Sequence, residues 1–179
     1  MIEFIGKVDL GILHFIRDNL SNPIMDKIMV FFTSIGDLGL VWILLAVSLL
    51  FVKRYRKVGL LILLSLLLGN ILGEVILKNI VQRPRAFIQY PGIELLIKAP
   101  TSYSFPSGHT ASSFAAATTL AICFKKYGWM SYILAVLIAF SRLYLFVHYP
   151  TDIIGGILLG IFSAVVVNVC AEKYLFKQA

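Results

Sequence analysis

The stretch KVGLLILLSLLLGNILGEVILKN, residues 57–79, decides what kind of fold this chain can adopt. It is an apolar run of the length needed to cross a hydrocarbon core of about 30 Å, for which ~20 residues suffice in a helix. Its exceptions are ordered. Asn70, Glu74 and Lys78 recur every fourth residue and share one helical face, and Gly69 and Gly73 form a GxxxG pair of the kind that lets membrane helices approach closely. Outward from this run, four more approach or reach spanning length, near residues 37–52, 107–124, 129–147 and 151–172. The whole chain is 59% hydrophobic and only 14% charged, against about 25% charged residues in a soluble domain. The expected fold is therefore all-α, an integral membrane helical bundle of about five to six transmembrane helices, forming a single domain over residues 1–179.

Residues 1–23 mix Ile, Leu and Phe with Glu3, Lys7, Asp9, Arg17 and Asp18, a pattern that suits an N-terminal helix lying in the interface. No basic stretch followed by an apolar core marks a cleavable signal. Residues 24–36 read in two ways, as a second surface helix or as an extension of the first span through a kink at Gly36 and Gly39. The bundle proper is expected over residues 24–172. Gly156 and Gly160 form a second GxxxG pair, and the run at 107–124 is rich in Ser, Ala and Thr, which places it near the bundle centre. Cys123 and Cys170 have no CxxC spacing and no ligand neighbours, and read as packing residues.

The net charge of +7 is split into short clusters between apolar runs, so it points to membrane topology and local anion binding and away from nucleic acid. Lys53, Arg54, Arg56 and Lys57, then Lys125 and Lys126, then Lys173 and Lys177 fall on one side, which the clustering in short loops assigns to the cytoplasm. Counting Lys7, Arg17 and Lys27 with Lys78, Arg83, Arg85, Lys98 and Arg142 makes the totals equal, so the clustering alone carries the orientation.

Five crossings bring three polar segments to the other face: Lys78 to Arg85, Pro106-Ser107-Gly108-His109, and Ser141 to Asp152. If Pro106 and Ser107 open a helix, the first backbone N–H groups face outward at the positive end of the dipole and form an anion site. Gly108 lets an oxyanion approach the main chain. The same residues also read as an ordinary helix cap with a histidine facing headgroups. Likewise Asp152 either orients one nitrogen of His148, leaving the other as nucleophile or base, or simply favours a helix N-terminus beside an interfacial histidine. Lys78 has Glu74 as a local partner, and Glu74 reads equally as a residue that positions Lys78. Arg85 and Arg142 have no acidic neighbour in sequence, and a bound phosphate would satisfy both with forked hydrogen bonds. Arg83 either snorkels to headgroups or shares that task.

Together the three segments resemble the signature of the type 2 phosphatidic acid phosphatase family, K-x6-R-P, P-S-G-H and S-R-x5-H-x3-D, over roughly residues 24–172. One departure is Ala86 in place of the proline after the second arginine, with Pro84 between Arg83 and Arg85. The resemblance implies a phosphohydrolase that needs neither metal nor cofactor and works through a phosphohistidine. It makes His148 the nucleophile, Asp152 its orienting partner and His109 the acid for the leaving oxygen. Lys78, Arg85, Ser107, Gly108 and Arg142, with Arg83 as a further candidate, would hold the phosphoryl oxygens. Such a site calls for fixed positive groups and in-line positioning.

A site at the membrane face suits a lipid phosphate. The linker containing Tyr90, Pro91, Ile93, Leu95, Leu96 and Ile97 is expected to dip among headgroups and guide it in. Among the family's substrates the polyprenyl carrier undecaprenyl diphosphate is favoured, with phosphatidylglycerophosphate and phosphatidic acid as alternatives. A lipid phosphotransferase and an anion transporter are the competing activities. The expected location is the cell membrane, multi-pass, with the site on the extracytoplasmic side. The oligomeric state is left open.

Overall fold

The computed structural model describes residues 2–90 and 92–174, without the side chains of residues 2, 3 and 174; Pro91, Lys177 and the Glu3 side chain therefore lie outside the described residues. The fold is helical. Helix α1 covers Ile2–Leu20, α2 Pro23–Gly36, α3 Leu40–Phe51, α4 Arg56–Asn70, α5 Lys78–Val81, α6 Ala86–Gln89, α7 Gly108–Cys123, α8 Ser131–Tyr144 and α9 Pro150–Tyr174. Between α4 and α5 the helix widens into a π-helical stretch, Ile71–Leu77.

Residues 24–36 form a helix that continues into the first span through a kink. Asn22 caps α2 by accepting from the N–H groups of Ile24 and Met25, with Pro23 in the first turn. A short 3₁₀ turn at Asp37–Gly39 then redirects the chain, with Leu38 at φ 53° and Gly39 at φ 68°. Segments 23–51, 53–89 and 150–173 are long and apolar enough to cross a membrane. Helices α7 and α8 are shorter, about 24 and 21 Å at a rise of 1.5 Å per residue.

Helix α7 is the central element, packed against α4, α8 and α9. Its alanines 115–117 are fully buried, as is Thr119, so it presents small side chains to its neighbours on nearly every face. The close approach is explicit at α9. A Cβ on Gly160 would lie 2.5 Å from the Ala111 carbonyl oxygen, and one on Gly156 2.8 Å from that of Ser107. Gly73 faces Leu159 and Gly69 faces Ser163, so both GxxxG pairs serve the packing of α9. Small polar groups join the helices from within. Trp42 Nε1 donates to Ser113 Oγ at 3.0 Å, and the hydroxyls of Ser65 and Thr119 meet at 3.1 Å. Cys123 is half-buried against Asn168, whereas Cys170 is exposed.

At one end of the bundle the basic loops come together, with Tyr55 packed on Phe124 at 5.4 Å between ring centres. The opposite end is closed by α1 and the 90–100 linker. Leu13 of α1 is buried with Ala86, Phe146 and Tyr149, and Ile16 with Met29 and Tyr144. The outer face of α1 leaves Phe4, Val8, Ile12 and Phe15 exposed. The linker departs from the expectation that its apolar side chains face outward. Tyr90, Ile93, Leu95 and Ile97 pack inward onto these same clusters, whereas Leu96 faces out. The buried faces of α1 and of the 145–149 loop offer them more apolar contact than headgroups would.

Candidate active site

The three polar segments converge on one cavity of about 890 Å³. Its polar wall carries Lys78, Arg85, Gly108, His109, Arg142 and His148, and its apolar wall Ile43, Leu63, Leu66 and Leu67 from α3 and α4.

His148 stands in the short 145–149 loop between α8 and α9 and is 1% exposed. Arg85 Nη1 lies 3.0 Å from its Nε2, while Asp152 Oδ2 lies 3.4 Å and Ser104 Oγ 3.5 Å from its Nδ1. A guanidinium has no acceptor to offer. Nε2 must therefore hold the lone pair, and Nδ1 the proton that points to Asp152. Burial above all, joined by the positive charges of Arg85 and Arg142, pushes the His148 pKa down to about 3 against the pull of the Asp152 hydrogen bond, so the ring is neutral at physiological pH. A neutral imidazole with Nε2 unprotonated is a nucleophile.

Asp152, in the first turn of α9, is fully buried and accepts four further hydrogen-bonding groups around that contact. Ser104 Oγ donates at 2.5 Å and Tyr149 N at 2.9 Å to Oδ2, and Arg83 Nη1 at 2.7 Å to Oδ1; its own carbonyl receives the Ser107 N–H at 3.1 Å. That last bond changes the expected anion site. The Ser107 N–H is already used, and the Ser107 hydroxyl caps α7 by accepting from Thr110. Gly108 lines the cavity.

Arg85 is 3% exposed and braced on both sides. Nε donates to the Ser102 carbonyl at 2.7 Å, Nη1 to the Val147 carbonyl at 3.0 Å and Nη2 to Ser102 Oγ at 3.1 Å. Arg142, equally buried, donates to Thr33 Oγ1, and its Nε is a buried nitrogen without a partner among the described residues. Lys78 Nζ binds Glu74 at 2.7 Å and Ser102 Oγ at 3.0 Å. The Glu74 carboxylate lies over Gly108, where an added Cβ would come within 2.5 Å of its Oε1. His109, at the start of α7, places Nε2 2.8 Å from Asp37 Oδ1. Asp37 sits in the 3₁₀ turn, and its side chain is 64% exposed, so an incoming group can replace it.

Arg83 is not among the residues lining the cavity. Its two terminal nitrogens bridge Asp152 and Asp9, each at 2.7 Å, and its guanidinium lies 3.9 Å over the Tyr149 ring. Of the two arginines flanking Pro84, Arg85 therefore faces the cavity and Arg83 supports Asp152 from behind. Motif reading passed over Asp9, Asp37, Ser102, Ser104 and Thr33. Two of these left a trace in the sequence. Asp37 is an isolated acid between two glycines of an apolar run, and Asp9 stands in helical register with Leu13 and Ile16.

The sequence pattern of the PAP2 superfamily matches residues 58–175. The chain belongs to this family. It is similar to an undecaprenyl-diphosphatase of Sulfolobus acidocaldarius, 39% identical over 137 residues that cover 76% of this chain and 66% of that protein. It is also similar to the undecaprenyl-diphosphatase BcrC of Bacillus subtilis, 31% identical over 78% of this chain and 72% of the relative. The solved structure of Aquifex aeolicus LpxE superposes with a TM-score of 0.79 at 30% identity, covering 90% of this chain and 95% of that one. The chain is accordingly a membrane-embedded hydrolase acting on lipid phosphate esters.

Proposed function

We propose that this protein is a metal-independent undecaprenyl-diphosphate phosphatase working through a phosphohistidine on the extracytoplasmic face of the cell membrane, with five membrane crossings and α1 lying in the interface. The observation that carries the mechanism is His148. Its neutral ring is held by Asp152 on one nitrogen and presents the other, beside Arg85, to a cavity lined by further cations. The substrate class rests on the amphipathic cavity and on the two undecaprenyl-diphosphatase relatives. Exposed Ile43 and Leu67 open the apolar wall toward lipid, while the charged wall takes the phosphates.

In the first step His148 Nε2 attacks the terminal phosphorus in line and forms an N–P bond. The bridging P–O bond breaks, and undecaprenyl phosphate leaves with a proton from His109, whose Nε2 exchanges Asp37 for the leaving oxygen. Lys78, Arg85, Arg142 and the Gly108 N–H hold the equatorial oxygens as charge shifts among them. Water, deprotonated by His109, then attacks phosphorus from the opposite side, releasing phosphate and restoring His148.

The test is phosphate release from undecaprenyl diphosphate, phosphatidylglycerophosphate and phosphatidic acid in detergent with EDTA. Release that is greatest with the diphosphate, survives chelation and is abolished by His148→Ala is the expected result. Preference for another lipid would reassign the substrate, and loss in EDTA would overturn the metal-independent mechanism. Adding acceptor alcohols and finding no transferred phosphate separates hydrolysis from phosphotransfer.

A further inference from the structure

We propose that Asp9 of the N-terminal helix α1 is a positioning residue of the active site, which clamps Arg83 so that Arg83 in turn fixes Asp152 and, through it, His148. Asp9 is 2% exposed although it sits in a helix whose sequence suits a membrane surface. Burying a carboxylate is costly unless it is paired and hydrogen-bonded, and here its hydrogen bonds lead to the catalytic segment. Oδ2 accepts from Arg83 Nη2 at 2.7 Å and from Thr151 Oγ1 at 2.5 Å, and Oδ1 accepts from the Thr151 N–H at 3.1 Å. Thr151 directly precedes Asp152, and Arg83 Nη1 binds both of them.

Two carboxylates thus share one guanidinium. Its plane is set from below by Tyr149 and from the far side by Asp9. Without Asp9, Arg83 keeps its full charge but loses the acceptor that fixes its orientation, and it is free to draw closer to Asp152 Oδ1 or to swing away. Either movement turns the carboxylate whose Oδ2 holds the His148 Nδ1 proton. None of this involves the phosphate-binding cations, so the effect belongs in the chemical step and not in substrate binding. Asp9 also lies outside the stretch matched by the PAP2 pattern, which begins at residue 58.

This inference rests on His148 acting as the nucleophile, which the His148→Ala comparison settles on its own. The test is a double-mutant cycle on the full chain in detergent, combining Asp9→Asn with Arg83→Gln and measuring kcat, KM and melting temperature with undecaprenyl diphosphate. The amide introduced by Asp9→Asn keeps an oxygen for Thr151 but turns donors toward Arg83. The expected result is a loss of kcat of about tenfold or more in Asp9→Asn, with KM within about twofold, and little further loss when Asp9→Asn is added to Arg83→Gln. Asp9→Glu should recover part of the rate. Leu10→Ala, which trims the packing of α1 without touching the charges, should lower the melting temperature and leave kcat near wild type. Multiplicative losses in the double variant, or a kcat loss in Leu10→Ala equal to that in Asp9→Asn, would show that α1 acts through packing alone and overturn the proposal. Should Asp9→Asn fail to fold, Arg83→Gln and Leu10→Ala still decide it: a kcat loss of about tenfold in Arg83→Gln that Leu10→Ala does not share supports the proposal, and an Arg83→Gln enzyme with kcat near wild type overturns it.

Discussion

Replacing Arg85 by lysine separates charge from geometry at the phosphate site. Both side chains are cationic, but the guanidinium reaches the Ser102 carbonyl and hydroxyl, the Val147 carbonyl and His148 Nε2 at the same time, at 2.7 to 3.1 Å. A single ammonium cannot span the 102 and 147 loops together. Hydrogen bonds to charged groups contribute about 1.5–3 kcal/mol each. If one of them, the bond shared by His148 and the transferring phosphoryl group, is absent in the transition state, kcat falls roughly 10- to 150-fold at ~1.4 kcal/mol per decade. Freeing the two loops from their common donor should also lower the melting temperature by several degrees, at about 2–4 °C per kcal/mol for a chain of this size. Steady-state phosphate release and a thermal melt in the same detergent measure both. An Arg85→Lys enzyme with kcat within about threefold of wild type would show that positive charge alone suffices and would refute the forked arrangement.

Two further outcomes follow from the packing and the electrostatics. Gly160→Ala places a methyl group 2.5 Å from the Ala111 carbonyl and 2.9 Å from the Ala115 nitrogen, both backbone atoms, so α7 and α9 must separate; a loss of about 1–3 kcal/mol is expected, read as a lower melting temperature, and unchanged stability would contradict the close approach. His148 is held neutral down to about pH 3 by its burial and the nearby arginines, whereas in the unfolded chain it titrates near pH ~6.5. The unfolded state therefore binds the extra proton between these values, and stability falls as pH drops through that window by up to about 1.4 kcal/mol per unit. His148→Gln should lose less stability than wild type from pH 6.5 to 4, and parallel curves would argue against a neutral buried imidazole.

Much of the helical membrane fold was legible in the sequence because three segments are apolar over a length that crosses a bilayer, and the convergence of the three motifs was legible because each carries cationic or imidazole side chains that make little sense beside lipid without an anion. The glycine pairs likewise announced close helix contacts that the structure places against α9. Other features depend on neighbours far apart in the chain. Arg83 and Arg85 look equivalent on either side of Pro84, yet the main chain turns one toward His148 and the other toward Asp9. Asp9 and Asp152 are distant in sequence and come to share the Arg83 guanidinium only when α1 closes over the end of the bundle. The linker residues Ile93, Leu95 and Ile97 could serve lipid or protein equally well by composition, and the apolar underside of α1 decides for protein. The π-helical stretch that carries Glu74 left no signal in residue types.

The most direct test of the central claim is to trap the covalent intermediate. Enzyme mixed briefly with substrate labelled in its terminal phosphate, quenched in alkali and digested, should carry an acid-labile, base-stable label on the peptide containing His148. The same label should be absent from His148→Ala. A label on the peptide containing His109, or none at all under turnover, would contradict the account.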